Sequence, residues 1–239
     1  MELVIVQQNV CGRDVYEGKR NIQDYEILIE KVRKENPDII FLSEFYYRKM
    51  YGITREILKE YEFIKPVLLS EEDENKDGLY ASCILAIKKT TVNKAKRFEL
   101  ANMLDYRYIC ADLKIKIGKI LKVLLMYVPQ TYNANRDRVE QKRKMLDSAN
   151  EYITKNSNTL IFVGGDMNSD IDGETTTCIE NFKQIYKNLF DTDKREKKDT
   201  WKRKRLDYAL VSKIMEGSVD TTPLETQSDH IGLRTVWNI

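Results

Sequence analysis

The chain predicts a single α/β domain built on mixed β-sheet, and three observations carry that expectation. Short β-branched or aromatic runs closed by polar residues recur from end to end, amphipathic segments with helical spacing fall between them, and two adjoining runs are joined tightly enough to be antiparallel. With 239 residues the chain can bury roughly 70 to 75% of its extended surface. No linker, repeat or low-complexity tract divides it, so one domain over residues 1–239 is expected.

The first strand is expected over Leu3–Gln8. Ile22–Lys34 follows as a helix, because Ile22, Tyr25, Ile29 and Val32 recur on one face and the residue before Pro37 disfavours helical backbone. Further strands are expected over Ile39–Ser43, Phe63–Val67 and Ala81–Ile87, with the acidic stretch Glu71–Lys76 as a solvated loop between the last two. Tyr108–Ile117 and Ile120–Val128, turned through Gly118-Lys119, read as a hairpin and make the sheet mixed. A long helix over Asn135–Lys155 turns Val139, Met145, Leu146, Ala149 and Ile153 inward and a mixed-charge face outward. Leu160–Gly164 and Tyr208–Val211 complete the predicted strands.

Composition narrows the class. Hydrophobic residues make up 42% and charged residues 33%, as in an ordinary soluble globular protein, and the longest apolar run, Ile120–Val128, is interrupted by Lys122 and too short to span a bilayer. The opening residues show no basic region, long apolar segment or cleavage site, which predicts no export through a signal peptide. Cys11, Cys83, Cys110 and Cys178 are scattered without a Cys-x-x-Cys pair, and His230 is the only histidine. That argues against zinc and for reduced thiols in a cytoplasmic protein, expected to be a monomer. A net charge of +2 leaves attraction for a polyanion to local patches. The densest holds Lys194, Arg195, Lys197, Lys198, Lys202, Arg203, Lys204 and Arg205, which either tracks a phosphate backbone or faces solvent.

Several short motifs fall at predicted strand ends. Leu160–Gly164 runs into Gly165-Asp166-Met167-Asn168, where a sharp Gly-Gly turn would present Asp166 to accept a proton from water and Asn168 to donate to a phosphate oxygen. An Asx turn is the plainer reading. Ile39–Ser43 stops at Glu44, where an uncompensated carboxylate is costly. Either a hard cation such as Mg²⁺ or a basic side chain would satisfy it. Asn9 closes the first strand, and Tyr127-Val128-Pro129-Gln130 closes the hairpin. Asp207, in Arg205-Leu206-Asp207-Tyr208, opens a strand and can either orient an imidazole or pair with Arg205 or Arg203. Ser228-Asp229-His230 offers an imidazole beside a carboxylate, as a proton carrier, a phosphate contact or a core residue.

Taken in order, these motifs resemble those of the endonuclease/exonuclease/phosphatase superfamily, the group of exonuclease III, apurinic endonucleases and DNase I-like enzymes. The match runs from residue 9 to residue 230. The resemblance implies a four-layer α/β sandwich, two mixed β-sheets packed face to face with helices outside, and Mg²⁺-dependent hydrolysis of phosphate esters, with Mn²⁺ as a substitute. It makes Glu44 the principal metal ligand, with Asn9 and Asp229 ligating or positioning nearby groups. Asp166 becomes the residue that orients or deprotonates water, Asn168 a phosphoryl contact, Tyr127 a neighbour of the reacting oxygens, and His230, oriented by Asp207, a stabiliser of the transition state.

The chain also departs from that pattern. Cys11 stands where relatives carry Asn or Asp, and Leu42-Ser43-Glu44-Phe45 replaces the Gln-Glu-Thr of repair nucleases. The loop between Trp201 and Arg205 is too compact for a dedicated abasic-sugar pocket. Trp201 either stacks on a base or belongs to the core, and Arg205 is a further candidate substrate contact. The expectation is a DNA endonuclease or 3′ to 5′ exonuclease. The alternatives are a phosphatase or phosphodiesterase for an inositol phosphate or sphingomyelin type of substrate and, more remotely, a silent nucleic-acid-binding module.

Overall fold

The computed structural model describes residues 2–67, 69–75, 79, 82–104, 106–131, 134–171 and 178–239. In chain order its elements are β1 (Glu2–Asn9), α1 (Gly12–Tyr16), α2 (Ile22–Lys34), β2 (Ile39–Phe45), α3 (Tyr47–Ile57), β3 (Tyr61–Ile64), α4 (Glu71–Asn75), β4 (Ser82–Lys88), β5 (Val92–Phe98) and β6 (Tyr108–Ile115). There follow β7 (Ile120–Tyr127), α5 (Arg136–Lys155), β8 (Ile161–Asp166), α6 (Ile179–Asn188), β9 (Phe190–Asp191), β10 (Asp207–Val211), β11 (Val219–Leu224) and β12 (Gly232–Asn238).

The strands form two six-stranded sheets, ordered β11-β12-β1-β2-β4-β3 and β5-β6-β7-β8-β10-β9. Each has one parallel pair, β1 with β2 and β7 with β8, and is otherwise antiparallel. Strand β2 explains why its sequence is apolar without alternation. Ile39 and Phe41 face the core between the sheets, where Leu85, Val123, Phe162 and Trp237 also lie, whereas Ile40 and Leu42 face Tyr25, Leu28 and Ile29 of α2 and Met50 of α3. On the far side Leu124, Val163 and Leu210 pack against Met145, Leu146 and Ala149 of α5 and Phe182 of α6. The result is the four-layer sandwich the resemblance implies. Among the described residues no helix is long and apolar enough to cross a membrane.

Several elements differ from expectation for local reasons. The third strand ends at Ile64, because Pro66 has no N–H to give a ladder. Residues Glu71–Asn75 form a helical turn, since Ser70 and Asp73 cap each other reciprocally: Asp73 N–H donates to Ser70 Oγ at 3.0 Å and Ser70 N–H to Asp73 Oδ2 at 3.2 Å. Lys76 and Ala81, the ends of two expected segments, lie outside the described residues. Gly164 and Gly165 lie within β8 and make no sharp turn. A Cβ at Gly164 would stand 2.2 Å from Gln7 Oε1, and one at Gly165, whose φ is +113°, would stand 2.1 Å from the Met126 carbonyl oxygen. Their function is close approach of neighbouring chain segments.

Candidate active site

Strand register brings the motifs to one edge of the sandwich. Asn9 pairs with Ser43 across β1 and β2, so Glu44 follows directly beside it. In the other sheet Asp166 stands between Tyr127 of β7 and Asp207 of β10. The parallel pairs end together here, and antiparallel β10 begins here, which is why five strand termini contribute side chains to one place.

Glu44 sits in a β-bulge between Ser43 and Phe45 with a left-handed φ of 51°. The bulge turns its carboxylate to Oε1 contacts with Asn9 Nδ2 at 3.2 Å and Tyr127 OH at 3.0 Å. Gly12 makes the bulge possible, because a Cβ there would lie 2.1 Å from the Glu44 carbonyl oxygen. Burial pushes the Glu44 carboxyl upward against the donors on it. Those donors are neutral, which leaves the carboxylate suited to a hard cation. Asn9 Nδ2 also donates to Asp166 Oδ2 at 3.1 Å, while Asn9 Oδ1 accepts the Cys11 N–H at 3.0 Å. Asn9 therefore positions two carboxylates, and its own oxygen is occupied by backbone.

His230 is buried, and its Nδ1 lies 2.8 Å from Asp207 Oδ2. Burial opposes the imidazolium, but the Asp207 carboxylate outweighs it and lifts the His230 pKa to about 10. Burial, with Asp207 nearby, also raises Asp166 to about 7. Asp166, Asp207 and His230 offer potential ligand atoms within 4.8 Å of one another, an acidic cluster of metal-binding type. Because His230 Nδ1 is engaged by Asp207, the oxygen-rich Glu44 side suits a cation better.

Asp229 faces the other way from its neighbour. Its Oδ1 accepts the Cys11 thiol at 2.5 Å and its Oδ2 the Trp201 indole N–H at 2.9 Å. Burial opposes its charge, but the thiol, the His230 charge and the indole hold the carboxyl below its ordinary range. Cys11, Glu44, Tyr127, Asp166, Asn168, Trp201, Asp229 and His230 line one cleft of about 140 Å³. Such a group can hold a cation, polarise a phosphate and take a proton from water.

Residues 6–230 match the endonuclease/exonuclease/phosphatase family. The chain belongs to this family. It is 28% identical over 173 residues to a 5′-tyrosyl-DNA phosphodiesterase of Caenorhabditis elegans, a match covering 70% of this chain and 43% of that protein, so it spans less than half of the relative's length. The structure of truncated C. elegans TDP2 superposes with a TM-score of 0.71 at 20% identity, covering 100% of this chain and 98% of that one. An AP endonuclease from Archaeoglobus fulgidus gives a TM-score of 0.69 at 17% identity, covering 99% of this chain and 100% of that one. These two likenesses show a shared fold.

In this family member residues outside the cleft lining, which motif reading gave no role, hold the lining segments in place. Thr200 is buried, and its hydroxyl accepts the N–H groups of Leu206 and Asp207, each at 3.0 Å, fixing the start of β10. Ser228 donates to the Asn9 carbonyl at 2.6 Å and ties the His230 loop to β1. Lys142 of α5 is fully buried and donates to the Asn168 carbonyl at 2.7 Å. That bond supports a residue with left-handed backbone, φ 44°, whose side-chain amide donates to the Val128 carbonyl at 2.9 Å. Lys142 was legible: it lies on the same helical stripe as Met145, Leu146 and Ala149.

Arg205 is not among the cleft residues. It is 4% exposed, with Nη1 2.7 Å and Nη2 2.8 Å from the Asp191 carboxylate. Its role here is to hold β9 beside β10, so the expectation of a substrate contact is corrected. Trp201 is half-buried at the cleft, 6.1 Å from the imidazole between ring centroids, and so belongs to neither the core nor the open surface.

Proposed function

We propose that this chain is a Mg²⁺-dependent phosphodiesterase that hydrolyses phosphate esters of DNA, working as a single-domain monomer in the cytoplasm. The observation that carries the reading is the convergence of Glu44, Asp166 and the Asp207–His230 pair in one cleft. The C. elegans relative, named for phosphodiester chemistry on DNA, supports the substrate class.

Glu44 would hold the cation, with Asp229 facing it and Asn9 keeping Glu44 and Asp166 in place. Bound Mg²⁺ or Mn²⁺ supplies Lewis-acid neutralisation of the phosphate and its developing charge. Asp166 accepts a proton as water attacks phosphorus, and its elevated pKa of about 7 matches that task near neutral pH. A new P–O bond to water oxygen forms as the ester P–O bond breaks. The departing oxygen leaves with the bond's electron pair and is protonated to a hydroxyl. Asn168 and protonated His230 donate to the non-bridging oxygens, and Tyr127 stands beside the reacting oxygens with its hydroxyl on Glu44.

The test is hydrolysis with Mg²⁺ of supercoiled plasmid, 3′-labelled duplex, a 5′-tyrosyl oligonucleotide, inositol phosphate and sphingomyelin. The panel separates nicking, 3′ to 5′ trimming and cleavage of the bond named in the relative. Turnover of one of the DNA substrates, abolished in His230→Ala, is expected. Turnover confined to the small or lipid substrates overturns the reading.

A further inference from the structure

The basic run on either side of Trp201 divides into two groups. Lys194 pairs with Asp220 at 3.1 Å, Arg195 with Asp193 at 2.7 Å, Lys197 with Asp199 at 3.4 Å, and Lys198 and Arg205 with Asp191 at 2.8 and 2.7 Å. These cations are neutralised locally. Lys202, Arg203 and Lys204 are exposed, and among the described residues no carboxylate lies within ion-pair distance of them. Three unneutralised cations on consecutive residues therefore sit beside the cleft.

Their backbone holds them there. Trp201 and Lys204 bridge each other, Lys204 N–H to Trp201 O at 2.7 Å and Trp201 N–H to Lys204 O at 3.0 Å, around a tight turn at Lys202 and Arg203. Both turn residues are left-handed, with φ 40° and 65°, the geometry that tight hairpins usually give to Asn or Gly. Long basic side chains therefore occupy positions that local preference would give to small ones, a conflict common at functional sites. The base of the turn is also fixed to the cleft. The Thr200 carbonyl accepts the Ile231 N–H at 2.8 Å, the Trp201 indole is on Asp229, and the Lys202 ammonium lies 4.5 Å from the centre of the Trp201 ring.

We propose that this turn is a second anion site, taking a backbone phosphate of the nucleic-acid strand that flanks the scissile one. The inference rests on the phosphodiesterase reading above and adds where the strand runs. Lys202, Arg203 and Lys204 supply charge, and Trp201 connects them to the reacting phosphate. The paired cations of the same run already have carboxylate partners.

The test compares a triple variant, Lys202→Gln, Arg203→Gln and Lys204→Gln, with a control, Lys194→Gln, Lys197→Gln and Lys198→Gln. Binding of a single-stranded oligonucleotide, measured by fluorescence anisotropy in a His230→Ala background, is followed between about 50 and 300 mM salt. The turn variant is expected to lower the slope of log affinity against log salt by about 0.7, the value for one lost phosphate contact on a single strand. The control is expected to leave the slope unchanged. Equal changes in both variants, or none in the turn variant, overturn the site. With His230 intact, turnover of bis(4-nitrophenyl) phosphate is expected to be the same in wild type and the turn variant. If wild type cleaves this small diester and the slopes do not separate, only the anion site fails; if it cleaves no diester at all, the phosphodiesterase reading fails.

Discussion

His230 reaches past its chain neighbour Asp229 and places Nδ1 2.8 Å from Oδ2 of Asp207, 23 residues earlier in the chain. The two carboxylates are thereby separated in role. Asp207 engages Nδ1 of the imidazole, while Asp229 is held by Cys11 and Trp201 on the other side of the cleft.

Because His230 is the only histidine, its ring can be titrated by NMR without assignment. A pKa of about 10 is expected in the cation-free protein, and Asp207→Asn is expected to return it towards the ordinary range near 6.5. The sign for stability follows from a folded pKa above the unfolded one. The pair's contribution is complete below about pH 6.5 and is lost as pH rises through about 10. An unshifted imidazole in the wild type contradicts the pairing.

Glu44 and His230 separate by cation dependence. Glu44→Ala removes the proposed main ligand, so activity is expected to fall about a hundredfold and to recover in part as Mg²⁺ or Mn²⁺ is raised, by mass action on a weakened site. His230→Ala is expected to lose about a hundredfold or more with no such recovery. Equal rescue of both variants in steady-state assays contradicts these roles.

Gly12→Ala tests the bulge at a distance from substrate. Its Cβ would meet the Glu44 carbonyl oxygen at 2.1 Å, a backbone atom that cannot move aside without shifting the bulge. A loss of about 1 to 3 kcal/mol in urea unfolding, together with weaker cation binding by calorimetry, is expected. A variant with unchanged stability and cation affinity contradicts the packing described.

Lys142 makes an opposite pH prediction from His230. Burial lowers its pKa from the ordinary 10.5 to about 8, so between those values the unfolded chain binds more protons and stability contributed here rises with pH. Urea midpoints measured from pH 7 to 10 are expected to climb more steeply in wild type than in Lys142→Met. The variant is also expected to lose turnover, because Asn168 loses the donor on its carbonyl. Parallel pH profiles would place Lys142 outside the core.

Much of the fold was legible because β1, β2, the β6–β7 hairpin, α2 and α5 carry clear periodicity. Other elements hid theirs. In β5 a bulge between Val92 and Lys94 breaks the alternation, and in α3 Gly52 interrupts a helix that begins with Tyr-Arg-Lys. The strand β12 alternates, with Leu233, Thr235 and Trp237 buried, but it follows directly on the His230 loop and its intervening Arg234 and Val236 mix polar and apolar character. Of the cleft, the strand-end polar residues could be read, since a polar group ending an apolar strand stands out. The environment of Asp229 could not, because it depends on Cys11 and Trp201, brought together only by the fold. Nor could sequence show that Asp191, and no substrate, takes Arg205.

Hydrolysis in water enriched in heavy oxygen tests the central claim most directly. With Mg²⁺ and a DNA phosphodiester, the label is expected on the phosphate of the product in wild type, with product from His230→Ala reduced about a hundredfold or more. Label on the released hydroxyl, or product formed equally by His230→Ala, would contradict attack of water on phosphorus in this cleft.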